Sequence, residues 1–165
     1  MHIDLNKQEL IHGGMTGMFR HIESVLNNRK PRFKERYTGE LLGFHMHGAM
    51  AEMAFCKAFG LFWDYSVNTF HKSDVYGHNI EVRYSRMSCL KVRPDDNNIL
   101  MVSVTGELPN FEVMGYIYSE KAKKDKYLQD IGSRGVPAYF VPHDHLMPTS
   151  DLYAQICSNR EKKMI

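Results

Sequence analysis

Asp74 and Glu81 stand seven residues apart in the stretch SDVYGHNIEVR (73–83), and Arg83 follows two residues after the second acid. Carboxylates that converge repel each other unless a cation lies between them. Mg²⁺ suits such a place, because it takes one or two carboxylates, a carbonyl, several waters and substrate phosphate oxygens. The Val82 carbonyl is the third protein ligand at hand. An ion held there would stabilise charge developing at phosphorus and lower the pKa of an attacking water. Arg83 would hold the scissile phosphate or stabilise the developing negative charge. Acid, turn, acid and cation also describe a solvated hairpin edge, so the motif alone leaves two readings open. A third acid narrows them. Glu52 lies within the apolar run AMAEMAF (49–55), where an unpaired carboxylate would be costly to bury.

The elements that must position these groups are legible in the periodicity. Residues 16–29 carry Met18, Phe19, Ile22, Val25 and Leu26 at helical spacing, ended by Asn27, Asn28 and Pro31. Residues 39–60 form a second helix with a broad apolar face, and Gly60 is its natural C-terminal stop. From residue 61 the period shortens. WDYSVNTF (63–70) reads as a strand or an extended loop. NIEVRYSRM (79–87) alternates, with Ile80, Val82 and Tyr84 on one face and Glu81 and Arg83 on the other. LKVRPDD (90–96), ILMVSVTGEL (99–108) and FEVMGYIY (111–118) continue as strands, expected as an antiparallel meander with turns at 94–98 and 106–110. Ser119 is expected to cap a helix over 119–130, PAYFVP (137–142) is a late strand, and 149–163 is a last helix. This order predicts one α/β domain of the α+β, mixed-sheet type, with four or five central strands flanked by helices. Residues 1–38 are an N-terminal helical extension, 39–148 the core and 149–165 the C-terminal helix.

Other candidates carry less. His45 and His47 are two apart on a helix and do not share a face; His143 and His145 lie in a loop. Cys56, Cys89 and Cys157 have no metal-ligand spacing and read as small apolar side chains in a reducing cytosol. Eleven methionines are expected to fill the core adaptably. KPRFKERY (30–37) and EKAKKDKY (120–127) place cations near aromatic rings and could track a phosphate backbone, or be solvated faces. A net charge of +2 neither requires nor excludes a polyanionic partner. MHIDLNKQEL has no apolar leader core and no run reaches the ~18 residues of a membrane span, so a cytoplasmic protein with no membrane partner is expected.

The order helix Glu, Asp, Glu-x-cation, further strands, helix, strand resembles the PD-(D/E)XK nuclease superfamily. The segments HGAMAEMAFCKAFGL (47–61), DVYGHNIEVR (74–83), LMVSVTG (100–106) and FEVMGYIYSEKA (111–122) are similar to small phage-encoded members of it, over roughly residues 44–142. The resemblance implies a restriction-endonuclease-like core and Mg²⁺- or Mn²⁺-dependent cleavage of DNA. It makes Asp74 and Glu81 metal ligands, with Glu52 as the accessory helix acid. Arg83 stands where the superfamily has Lys. An arginine clamps a phosphate but is almost never deprotonated, so it cannot serve as a base. Lys91 on the next strand is the alternative amine. The substitution at 83 keeps open a catalytically inactive module that binds nucleic acid or a protein, or a phage assembly component. Cutting both strands of a duplex would need two sites and hence a homodimer.

Overall fold

The structure, a computed structural model, describes residues 1–29, 38–67, 73–75, 77–129, 137–154 and 156. The chain opens with strand β1 (His2–Asp4), then helix α1 (Lys7–Leu26) and helix α2 (Thr38–Phe59). Five strands follow: β2 (Ile80–Tyr84), β3 (Cys89–Val92), β4 (Leu100–Glu107), β5 (Asn110–Tyr118) and, after the short helix α3 (Ser119–Ala122), β6 (Leu128–Gln129). β7 (Ala138–Pro142) is the last strand, and residues 149–154 are helical again. Among the described residues no helix is long and apolar enough to cross a membrane.

The result is a mixed α/β fold, and the expected meander forms only in part: β4 and β5 pair antiparallel as neighbours, but β2 and β3 do not continue it. A four-stranded sheet has the order β1-β5-β4-β2, and β2 runs parallel to β4. β3, which lies between them in sequence, leaves this sheet and pairs with β7 in a three-stranded sheet of order β3-β7-β6. Parallel neighbours need a crossover, and here the excursion through β3 supplies it. The helix expected over 119–130 is also broken up. It becomes α3, a 3-10 turn at Asp125–Tyr127 and β6. Ser119 is the first helical residue rather than the cap; its hydroxyl donates to Glu120 and accepts from the Ile99 N–H. Residues 63–67 form no strand, and residues 68–70 lie outside the described residues.

The N-terminal segment is built into the domain. β1 pairs antiparallel with β5. Asn6 caps α1 by accepting from the Glu9 N–H at 3.0 Å, while the Glu9 carboxylate accepts from the Asn6 N–H at 2.7 Å, the reciprocal box that satisfies two otherwise free donors. α1 therefore begins nine residues earlier than its apolar stripe suggested. It packs on α2 through Gly13, Gly14 and Gly17. At Gly17 an added Cβ would sit 2.6 Å from Met46 N, inside backbone contact, so only glycine allows this approach.

α2 is apolar almost all round, and such a helix belongs in a core. Ala49, Ala51, Ala54, Phe55 and Cys56 are buried between α1 and the four-stranded sheet, together with Val82, Val102 and Val104. A second core on the other face of that sheet holds Leu90, Val92, Met101, Ile117 and Val141. The methionines divide: Met50, Met53 and Met101 are buried as expected, whereas Met15, Met18 and Met87 are exposed.

A candidate active site at the edge of β2

β2 is an edge strand, and its free side borders a cavity of about 380 Å³. Arg20, Glu52, Asp74, Glu81, Arg83 and Arg93 all line it. Four of the five side chains singled out in the sequence thus meet here.

Each arrives from a different direction. His45, Gly48 and Glu52 are spaced three and four apart, so α2 turns them to the same side. Glu52 is buried, and its two oxygens are gripped by Arg20, Nη1 to Oε1 at 2.5 Å and Nη2 to Oε2 at 2.6 Å. Trp63 Nε1 donates to the same Oε2 at 3.2 Å, and Arg20 Nε donates to the Ser66 carbonyl at 2.8 Å. Bidentate pairing and these extra bonds offset the cost of burying the acid. Burial nevertheless raises the pKa of Glu52, and the nearby Glu81 charge adds to this against Arg20 and Trp63. The same burial lowers His45, with His21 and Arg20 adding to it.

Asp74 lies in the plane of the sheet. Its Oδ2 accepts the Val82 N–H at 2.7 Å, so this edge donor goes to a side chain instead of a strand. A residue's N–H and C=O leave a β-strand on the same side. The Val82 carbonyl therefore also points to the open edge, while Asn79 O and Ser85 N bond to β4. The turn that presents Asp74 is closed by the His78 N–H donating to Val75 O at 3.0 Å, with Gly77 at φ +74. Asp74 has its pKa pushed well up, first by burial and then by the Glu52 and Glu81 charges; the Val82 N–H and Arg83 oppose this.

Glu81 and Arg83 come from the other face. The alternation expected from sequence holds: Ile80, Val82 and Tyr84 join the core that α2 fills, and Glu81 and Arg83, half-buried, lie on the opposite face. Arg83 Nη2 lies 2.8 Å from Glu81 and 3.1 Å from Asp96, whose other oxygen accepts the Arg93 N–H at 2.7 Å. Arg83 Nε is buried and has no acceptor among the described residues. Glu52 from α2, Asp74 from the turn before β2 and Glu81 from β2 itself thus line the same cavity.

Lys91 does not line this cavity. β3 pairs in the other sheet, and Lys91 Nζ lies 5.6 Å from the centre of the Phe140 ring. The cation that β3 delivers is Arg93, just past its last residue. Sequence reasoning missed Arg93 and Arg20. A signal for Arg20 existed: Gly13, Gly17 and Arg20 share one helix face, and a buried Glu52 demanded a cation.

The remaining expectations resolve simply. His47 stacks on Tyr84 at 5.0 Å and does not line the cavity, so His45 and His47 do diverge. His143 Nε2 bonds the Ser103 hydroxyl at 2.9 Å, and His145 Nδ1 the Tyr127 hydroxyl at 3.2 Å. Burial pushes the Cys56 thiol up to about 12, which suits an inert apolar role; Cys157 lies outside the described residues. In 120–127, Lys123 bonds Asn97 at 2.6 Å, and Lys121 and Lys126 lie over tyrosine rings. KPRFKERY (30–37) lies outside the described residues.

Among the described residues no three His, Cys, Asp or Glu side chains form a ready-made metal cluster. Mg²⁺ does not require one, since it keeps several waters and uses one or two carboxylates. Asp74, Glu81 and the Val82 carbonyl fit that donor set, and the strain among the carboxylates is what a divalent ion would relieve. Compared with known protein families the chain matches none, and no curated protein matches it.

Proposed function

We propose that the protein is a deoxyribonuclease, endo- or exonucleolytic, that hydrolyses DNA phosphodiester bonds with Mg²⁺ or Mn²⁺ on a restriction-endonuclease-like core. The supporting observation is that Glu52, Asp74, Glu81 and Arg83 line one cavity at the free edge of β2. Asp74, Glu81 and the Val82 carbonyl would hold the ion. Bound there, the ion would supply Lewis acidity to the phosphate and acidify a water. Glu52 is committed to Arg20 and supports the site through water. Arg83 takes a phosphate oxygen at the cavity wall. It does not remove a proton, so the water's proton leaves to a carboxylate or to solvent. Arg93 offers a second clamp on the same strand of DNA.

Cleavage of supercoiled DNA with Mg²⁺ or Mn²⁺ tests this, comparing wild type with Asp74→Ala and Glu81→Ala. Each variant is expected to lose at least about a hundredfold in rate, the scale of a removed electrostatic group. Equal cleavage by all three proteins rejects the assignment.

A second reading has its own observation: both Glu52 and Glu81 are already paired, with Arg20 and Arg83. In that reading the pairs hold the cavity shut to metal, and the domain binds nucleic acid or a protein, as a phage assembly component for instance, without chemistry. Calorimetry separates the two, because only the nuclease takes up a divalent ion lost on Asp74→Ala.

A further inference from the structure

The apolar stripe that marks α1 in the sequence lies on the outside of the molecule. Ile11, Met15, Met18, Ile22 and Val25 repeat at steps of four, three, four and three, and Phe19 and Leu26 widen the band. All are between 39% and 75% exposed. The opposite face of α1 is already used, by the glycines against α2 and by Arg20 at the cavity. Among the described residues α1 is apolar on its outer side as well as packed on its inner side, and its outer side has no neighbour there.

At roughly 100 Å² of exposed apolar surface each, these side chains offer about 700 Å². That exceeds the ~300–600 Å² of the largest patch on an ordinary monomer and approaches the ~800 Å² per partner of a stable interface. Alternating steps of three and four are the seam of helix-on-helix packing, and they run about 21 Å along α1. We propose that a second copy of this chain covers the stripe, α1 against α1 across a two-fold axis. Each copy carries one such helix, and Met18 at the middle meets its own counterpart whichever way the helices run. An isologous contact of this kind closes on itself as a dimer. A lipid surface fits less well. Interfacial helices are bordered by rows of Lys and Arg, whereas this stripe is bordered by His12, His21, Glu23 and a single lysine, Lys7. The inference stands without the nuclease reading.

The test is the mass in solution, by sedimentation equilibrium across a wide range of concentration. The wild type is expected to be a dimer. Met18→Glu combined with Ile22→Glu is expected to weaken association at least a hundredfold while leaving the helical circular dichroism unchanged, and to remove the concentration dependence of the wild-type melting temperature. Should that variant lose its helix, Val25→Glu with Leu26→Glu, at the most exposed end, repeats the test. A wild type that stays monomeric, or stripe variants that remain dimeric, overturns the proposal. A monomer that sediments with phosphatidylserine vesicles overturns it in favour of a lipid surface.

Discussion

Arg20→Met isolates the buried pair that anchors the site. The substitution keeps the aliphatic stem and removes the guanidinium that fills both Glu52 oxygens. Glu52 is then left with the Trp63 N–H at 3.2 Å. Breaking a buried pair on one side costs about 3–5 kcal/mol. The lower end applies here, because Glu52 can escape by taking up a proton, at ~1.4 kcal/mol per pH unit between its pKa and the ambient pH. We expect a loss of about 3 kcal/mol at pH 8, which for a domain of this size lowers Tm by roughly 10 °C. The sign of the pH dependence follows from Glu52. In the variant its folded pKa lies above its unfolded value, so the folded state binds the extra proton. The penalty is therefore nearly absent below the unfolded pKa and grows as pH rises through the folded one. The gap between wild type and variant should be narrow at pH 5 and full at pH 8. Urea denaturation followed by fluorescence reads it directly, since Trp63 is the single tryptophan and itself touches Glu52. Adding Glu52→Gln should recover most of the loss, with a coupling of about 2 kcal/mol. A loss under about 1 kcal/mol at pH 8, or a double variant as unstable as the two losses summed, would refute the reasoning.

Asp74→Asn should make the protein more stable while abolishing cleavage. The folded pKa of Asp74 is raised by burial and by Glu52 and Glu81, so its ionised form destabilises the fold above the unfolded pKa. Replacing it by the neutral amide should contribute about 1–2 kcal/mol at pH 8, fading towards pH 4, as thermal melts at both pH values will show. Mg²⁺ should raise Tm for the wild type and leave Asp74→Asn unmoved. Gly17→Ala should cost about 3 kcal/mol by forcing α1 off Met46. Gly43→Ala, whose Cβ meets nothing within 4 Å, should instead stabilise α2 by up to about 1 kcal/mol in the same melts.

The sequence carried the site better than it carried the sheet. Glu52 stood out because a carboxylate in AMAEMAF has no local reason to be there, and the alternation of 80–84 assigned each side chain its face before any pairing was known. Both are local signals. The parallel pairing of β2 with β4 is not local: three short strands in succession look the same whether the middle one stays in the sheet or leaves it. Lys91 is an alternative amine only if β3 lies beside β2, and the pairing of β3 with β7 removes that condition. β1 has three residues, too few to show a period. The start of α1 was hidden because Gly13, Gly14 and Gly17 lower helix propensity, yet those glycines are what lets α2 come close. Its outward stripe was legible as helical, but nothing in a single chain says which of two apolar faces meets the core.

Beside His45 and Tyr84, the cavity is lined by three arginines and three carboxylates, equal numbers of opposite kind. A balanced cavity attracts neither a divalent cation nor a phosphodiester strongly by itself. Mg²⁺ alone must settle between Arg83 and Arg93, and DNA alone must bring its phosphate up to Asp74 and Glu81. Together they cancel: the cation answers the carboxylates, and the phosphate answers both the cation and the arginines. Binding of one must then strengthen binding of the other by the same factor, since the coupling is reciprocal. A coupling of ~1–3 kcal/mol, typical of linked sites, corresponds to about 5- to 150-fold. Calorimetric titration of Mg²⁺ with and without a duplex of uncleavable phosphorothioate linkages measures it. Equal Mg²⁺ affinity in the two titrations would mean that metal and phosphate do not share this cavity.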